Sequence, residues 1–346
     1  MNIRTVTYND FTFIDVHDPQ EFELKFLRHN YKFDEVHLED FINKQQVPKI
    51  EIEKEYALIV LDFPHLEGSK EEKKHDAPTH HNGDLHAKKP LAQIIPTPPI
   101  PHFSFGNTKK HRIRTGHVSF FIKEKFLVVL HDDRTPQIDE IFTECQKTLK
   151  NREEFLGLGG QYLFYRIVDL LVDSSFTTLN SITATIDKID QHLLDDNPAE
   201  KVVEDISSTR RNIVVFQTMI KPALTIFSDL ENGKYEGLNG PMTSSWSNVR
   251  DHMQKIWYRL EDSRELIEGI AISHESLLTA RTNEIVKVLT MFTAILLPLT
   301  LLASVYGMNI VGLPYAQQNN SLTIVVGIMV VLALVMLVVF KLRRWL

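Results

Sequence analysis

Tyr306-Gly307-Met308-Asn309 stands between two apolar segments that carry no charge, VLTMFTAILLPLTLLASV (288–305) and LTIVVGIMVVLALVMLVVF (322–340). Each is close to the ~20 apolar residues that take a helix across a bilayer. A hairpin buried in a soluble protein fits them poorly, because soluble helices seldom run this long without a polar interruption. Two spans are therefore expected, and their flanks orient them. Lys287 precedes the first, and Lys341, Arg343 and Arg344 follow the second, whereas Gly307 to Ser321 holds neither lysine nor arginine. Basic ends stay on the cytoplasmic side, so both termini are expected inside and the short loop outside. Trp345 sits among the basic residues, where an interfacial anchor belongs. The opening MNIRTVTYND lacks an apolar signal core, so the large N-terminal part is expected in the cytoplasm of a multi-pass plasma (inner) membrane protein.

That N-terminal part is long enough to have a core of its own, in a chain of 346 residues with 24% charged. A net charge of -7 argues against a nucleic-acid partner and suits a protein that handles cations. The single cysteine, Cys145, excludes an internal disulfide framework; with no reactive motif around it, packing is its expected role. Residues 1–150 read as mixed α/β. Asn2 to Thr7 and Thr12 to Val16 are rich in strand formers, and Asp18-Pro19 opens a helix to about His29. Tyr56 to Leu61 and Phe126 to Leu130 read as buried strands, the second paired with His117 to Ile122 through Lys123-Glu124-Lys125. Pro136 starts a helix ending near Leu149. A sheet with helices against it is the economical assembly.

Between these strands, residues 67–108 form a polar, Pro-rich insertion expected to be mobile. Its His75, His80, His81 and His86 invite a metal, since imidazole suits zinc, nickel and cobalt, but their spacing matches no defined site. From Gln161 onward the periodicity is helical. Asp195-Asp196-Asn197-Pro198 and Gly233 to Pro241 divide it into a helix to about Leu193, a helix over 199–227, and an unbroken run from Ser244 to Val305. At 1.5 Å per residue that last run is roughly 90 Å long, so one helix starts in the cytoplasm and enters the membrane. The expected organisation is an α/β domain (1–150), a helical stalk region (151–285) and a transmembrane hairpin (286–346).

Along the long helix, alternating steps of three and four pick out Ser276, Thr279, Asn283, Val286, Thr290, Thr293, Leu297, Thr300 and Ser304. This row keeps one face of a gently supercoiled helix. Seven of the nine carry a hydroxyl or an amide, in a segment otherwise built of Leu, Ile, Val, Met and Phe. Serine and threonine often bond back to their own helix, which alone would account for any one of them. A whole polar row at membrane depth instead faces a bundle interior or a water-filled path. Two spans cannot enclose such a path, so the chain is expected to oligomerise.

The tetrapeptide at the outer end of the first span, with Thr282-Asn283-Glu284, Lys287-Val288-Leu289-Thr290 and Leu297-Pro298-Leu299-Thr300 upstream, resembles the CorA family of divalent-cation transporters. The resemblance implies a homopentameric funnel, with the first span lining the pore and the second in an outer ring. It also implies that Gly307, Met308 and Asn309 form the outer mouth and that Val286 and Leu289 form a hydrophobic constriction. Five Asn309 amides suit Mg²⁺, which keeps its waters and is best met through them by neutral oxygens. In the family, intracellular metal bridges subunits and closes the pore, so Mg²⁺ is both cargo and regulator. Acidic candidates for that role are Asp169, Asp173, Glu265, Glu268 and Glu275, each of which also reads as an ordinary solvated helix face. Ile272 stands where the family commonly has an inter-subunit aspartate, and no acid lies between Asn309 and Ser321. Both are departures from the pattern.

The sequence-based reading is thus a pore for divalent metal cations, chiefly Mg²⁺ with Co²⁺ and Ni²⁺ as further cargo, needing no organic cofactor and no enzyme chemistry. Its partners are copies of itself and the lipid bilayer. Two rivals stay open. One is a zinc transporter, proton-coupled or not, on the same scaffold; the other is a membrane-anchored scaffold or sensor.

Overall fold

In a computed structural model of the chain, residues 2–43, 47–67, 112–193, 199–235, 238, 243–308 and 320–343 are described. The chain divides into two compact units, Met1–Ile270 and Ala271–Leu346.

The first unit is built on strands β1 (Ile3–Tyr8) and β2 (Phe11–His17), joined through Asn9, whose φ of 51° is one of the left-handed conformations that asparagine tolerates. Four more strands follow: β3 (Lys49–Ile52), β4 (Ala57–Leu66), β5 (Ile113–Lys123) and β6 (Phe126–His131). The sheet order is β1-β2-β6-β5-β4-β3, antiparallel except for β2 against β6. Helices α1 (Glu21–Tyr31) and α2 (Glu35–Asn43) cover one face, where Leu24, Leu27, Leu38 and Phe41 meet Ile14, Leu58, Val60, Phe121 and Val128. The intervening residues on the strands serve the other face: Phe13 packs on Phe142 and Phe120 on Phe164. That face is covered by α3 (Pro136–Lys147), α4 (Leu149–Leu156), α5 (Gly160–His192) and α6 (Ala199–Glu231). With both faces covered, β4 and β6 need continuous apolar runs.

Local chemistry explains where elements differ from the sequence-based bounds. β4 continues past Leu61 to Leu66, because Asp62 finds His117 directly across the ladder at 2.6 Å. Pro64 is tolerated because β3 pairs only with Ala57 to Val60, leaving that side of β4 without a ladder partner there. The helix opened by Pro136 stops at Lys147, since Thr148 turns extended and caps a new helix, its Oγ1 accepting from the Asn151 amide at 3.1 Å. Gly159, at φ 84°, then lets the chain bend 96° into α5.

Helix α7 (Thr243–Tyr306) is continuous through Pro298, as the long apolar and polar periodicity predicts. Its first turns are anchored by Trp246, which is buried among Phe164, Tyr165 and Phe227. Buried Val249, Met253, Ile256, Leu260, Ile267 and Ile270 extend this seam, and Gln217 donates to Glu261 at 2.7 Å beside it. The last helix, α8 (Ser321–Leu342), matches the second apolar segment.

By length and composition, α6, α7 and α8 are each apolar enough to cross a membrane, as are α4 and α5 if that bent pair is taken as one span. Burial separates them. In α6, 44% of the most apolar window is buried within the chain, against none of it in α7 or α8. The apolar face of α6 is spent on β4, β5 and β3. The insertion with His75, His80, His81 and His86 lies outside the described residues, as do Asp195 to Pro198, Arg344 and Trp345.

Candidate functional site

The row from Ser276 to Ser304 lies on α7 in the second unit, and every member is exposed. At ~100° per residue its nine positions fall within an arc of about 120°. Each threonine in it is bonded to its own helix. Thr279 donates to the Glu275 carbonyl at 2.9 Å, Thr290 to Val286 at 2.7 Å, Thr293 to Leu289 at 2.9 Å and Thr300 to Leu296 at 2.8 Å. The two sequence-based readings of these residues are therefore compatible. A hydroxyl has one proton and two lone pairs, so a threonine that spends its proton on the helix still offers an accepting oxygen outward. That is the polarity needed for a water that a cation has polarised. Asn283 is exposed on the same row, and Val286, Leu289 and Leu297 are exposed by 52%, 64% and 65%. Apolar side chains this open need a cover of lipid or protein.

At its C-terminal end, α7 stops at Tyr306. The Gly307 amide closes on the Ala303 carbonyl at 2.9 Å and the Met308 amide on Val305 at 3.3 Å. A Cβ at Gly307 would stand 3.1 Å from the Ala303 carbonyl oxygen, so any side chain there presses on the last turn. Met308 is exposed. Asn309, which the resemblance places at the mouth, and the loop Ile310 to Asn319 lie outside the described residues.

The acidic candidates fall in two settings. Glu265, Glu268 and Glu275 are exposed on α7, and Ile272 is 69% exposed. Asp169 and Asp173 line a groove of about 530 Å³ with Asp139, Glu140, Glu144 and Arg166. Burial, then the neighbouring Asp173, raises the Asp169 carboxyl above the usual carboxylate range.

One cluster escaped the sequence reading. His17 on β2 and His131 on β6 are register partners in the parallel pair, with ring centroids 4.8 Å apart, and Asp139 of α3 lies against them. The single histidines carry no local motif, and only the β2–β6 pairing brings them together. His131 Nε2 is 3.0 Å from Asp15 Oδ1, both groups being fully buried, and Arg4 bridges Asp15 and Asp139. His17 pairs with Asp133 through Nε2 and stands 3.3 Å from Asp139 through Nδ1. The hydrogen bond to Asp139, supported by Asp133, outweighs burial and lifts the His17 imidazole to about 9. Burial opposes ionisation of Asp139, but bonds from His17 and Arg4 overcome it and hold that carboxyl at about 2.

Cys145 is fully buried on α3, and burial pushes its thiol up to about 12 from 9.0. At pH 8 this leaves about a thousandfold less thiolate than an ordinary cysteine has. The folded protein is accordingly expected to react with a thiol reagent at least a thousandfold more slowly than it does after denaturation. Comparable rates in the two states would contradict the packing role.

The chain thus combines an α/β domain, a 64-residue helix with an exposed polar row, and a further helix whose apolar window is unburied, the last two apolar enough to cross a membrane. The family described as CorA-like Mg²⁺ transporter protein matches residues 8–80 and 100–344, and the chain belongs to that family. The cobalt/magnesium transport protein CorA of Thermotoga maritima is 25% identical over 310 residues, covering 89% of this chain and 76% of that one. The CorA magnesium transporter of Methanocaldococcus jannaschii has the same fold, with a TM-score of 0.76 at 18% identity over 99% of this chain and 94% of that one. The full-length CmaX protein shares it at a TM-score of 0.64 and 15% identity, over 97% and 89% of the two chains.

Proposed function

We propose that this chain assembles as a homopentamer in the plasma (inner) membrane and conducts hydrated divalent cations, chiefly Mg²⁺, along an axis lined by α7. The observation that carries this reading is the exposed row of α7, whose threonine protons are spent on the helix while their oxygens remain free to accept. Helices α7 and α8 are the two spans, with both termini cytoplasmic and Asn309 at the outer mouth. Five Asn309 amides meet the arriving ion through its waters, and Asn283, Thr293 and Thr300 supply further oxygens along the path. Mg²⁺ dehydrates reluctantly, so weak second-sphere contacts at several depths allow it to bind and to leave. Co²⁺ and Ni²⁺, of similar charge and hydration, follow the same route.

The driving force is electrical. Moving two charges inward at 100 mV releases about 4.6 kcal/mol, so no nucleotide chemistry is required. Val286 and Leu289 form the dry ring that holds the path shut, and intracellular Mg²⁺ on acidic side chains such as Glu265, Glu268 and Glu275 stabilises that closed state. Ile272 has no ligand atom, so a metal bridge at that level must use neighbouring acids.

This reading rests on assembly. Native mass spectrometry in mild detergent is expected to give five copies as the dominant species, because two spans leave the α7 row unsheltered. A predominant monomer or dimer would contradict the pore.

A further inference from the structure

We propose that His17, His131 and Asp139 bind one borderline divalent metal ion (Co²⁺, Ni²⁺ or Zn²⁺) inside the α/β domain, at a site distinct from the conduction path. One ring nitrogen of each histidine and one carboxylate oxygen of Asp139 all lie within 4.8 Å of one another. In a tetrahedral site with bonds of ~2.1 Å, ligand atoms stand about 3.4 Å apart. His17 Nδ1 and Asp139 Oδ2 are already 3.3 Å apart, so closure on an ion asks for a shift of little more than ~1 Å elsewhere.

The surroundings are those of a supported ligand set. Metal-bound histidines characteristically give their second nitrogen to a carboxylate. His17 has such a partner in Asp133 beside Nε2, and His131 has an acceptor on each side, Asp15 at 3.0 Å from Nε2 and the Asp132 carbonyl at 3.2 Å from Nδ1, so either ring nitrogen can take the ion while the other stays held. Arg4 occupies Asp139 Oδ1 and Asp15 Oδ2, which orients Asp139 and leaves its Oδ2 on the histidine side.

Charge favours a dication. An ion binds here by displacing the proton that His17 holds between Asp133 and Asp139; three carboxylates (Asp15, Asp133, Asp139) and one guanidinium (Arg4) then sum to -3 + 1 = -2, which a divalent ion cancels. Access is open on one side only. Asp15 and His131 are fully buried, whereas the side chains of His17 and Asp139 are exposed by about a third, and Asp139 also borders the acidic groove. Two imidazoles and one carboxylate suit a borderline ion and discriminate against Mg²⁺, which prefers oxygen and its own waters.

The test is a Co²⁺ titration of the full-length oligomer in detergent, read by the visible ligand-field bands that report nitrogen ligation in a low-symmetry site. Wild type is expected to bind one more Co²⁺ per chain than His17→Gln or Asp139→Asn, and a large excess of Mg²⁺ should leave those bands in place. Asp133 is an exposed loop residue whose removal leaves the core untouched. Asp133→Asn should therefore keep the assembly and weaken Co²⁺ binding by about 10–100-fold through loss of support for His17. Differences against wild type keep ions held elsewhere, including by His75, His80, His81 and His86, out of the result. Equal stoichiometry and affinity in wild type, His17→Gln and Asp133→Asn would overturn the proposal, as would displacement of the bound Co²⁺ by Mg²⁺.

Discussion

Asn309→Ala is expected to abolish Mg²⁺ uptake while leaving the oligomer intact. In a pentamer the single change removes five amides at once, each contributing on the order of 1 kcal/mol as a hydrogen-bonding partner of the ion's waters. Even if only three act together, roughly 3 kcal/mol is lost at the first contact, which is at least about a hundredfold in occupancy. Alanine is small and helix-compatible, and α7 already ends at Tyr306 with Gly307 closing its last turn, so the spans themselves are not disturbed. Cells or liposomes carrying Asn309→Ala should show uptake near background, with the mass of the assembly unchanged. Uptake at the wild-type rate would remove this tetrapeptide from the ion's route.

Leu289→Asn is expected to have the opposite sign. Leu289 is 64% exposed on the single chain, one position before Thr290 on α7. Five such side chains around an axis exclude water, and a hydrated ion cannot pass a dry ring without losing its shell. An amide in each place gives water a partner. A barrier lowered by only ~1.4 kcal/mol raises passage about tenfold. The measurement is Mg²⁺ flux with high Mg²⁺ already on the cytoplasmic side, the condition under which the proposed function expects wild type to be shut. Leu289→Asn should leak at least tenfold faster there; an unchanged rate would move the gate elsewhere on α7.

The parts of the fold that were legible in the sequence are those where one physical demand acts over many residues. Strands β4 and β6 are buried on both faces and so carry runs of apolar residues. The C-terminal part of α7 and most of α8 read as long uncharged apolar segments, and the α7 row as polar groups at steps of three and four. Short elements were not legible, because single contacts decide them. Helix α2 begins where the Asp34 carboxylate accepts from the Val36 amide at 2.8 Å, and α4 begins at the Thr148 cap. The strand β3 is four residues long and half-buried, with too little pattern to stand out. The cluster of His17, His131 and Asp139 was hidden for a further reason. Nothing local marks these residues, and they meet only because β2 pairs in parallel with β6 and α3 crosses their ends. The histidines that did attract attention, His75 to His86, have the composition of a metal site without its spacing.

The donors along α7 bear on the choice of cation. A path that strips zinc of its waters would be expected to offer imidazole, thiolate or carboxylate within the pore. From Ser276 to Ser304 the row offers hydroxyls, one amide and apolar groups, which suit a hard ion that stays hydrated. The direct measurement is ion flux into liposomes that hold the purified oligomer, with dyes inside that report Mg²⁺ and Zn²⁺ separately. Mg²⁺ entry is expected to grow with an inside-negative potential and to be lost in Asn309→Ala. Liposomes that admit zinc and show no Mg²⁺ entry under any gradient would contradict the Mg²⁺ pore and favour the zinc transporter in its place.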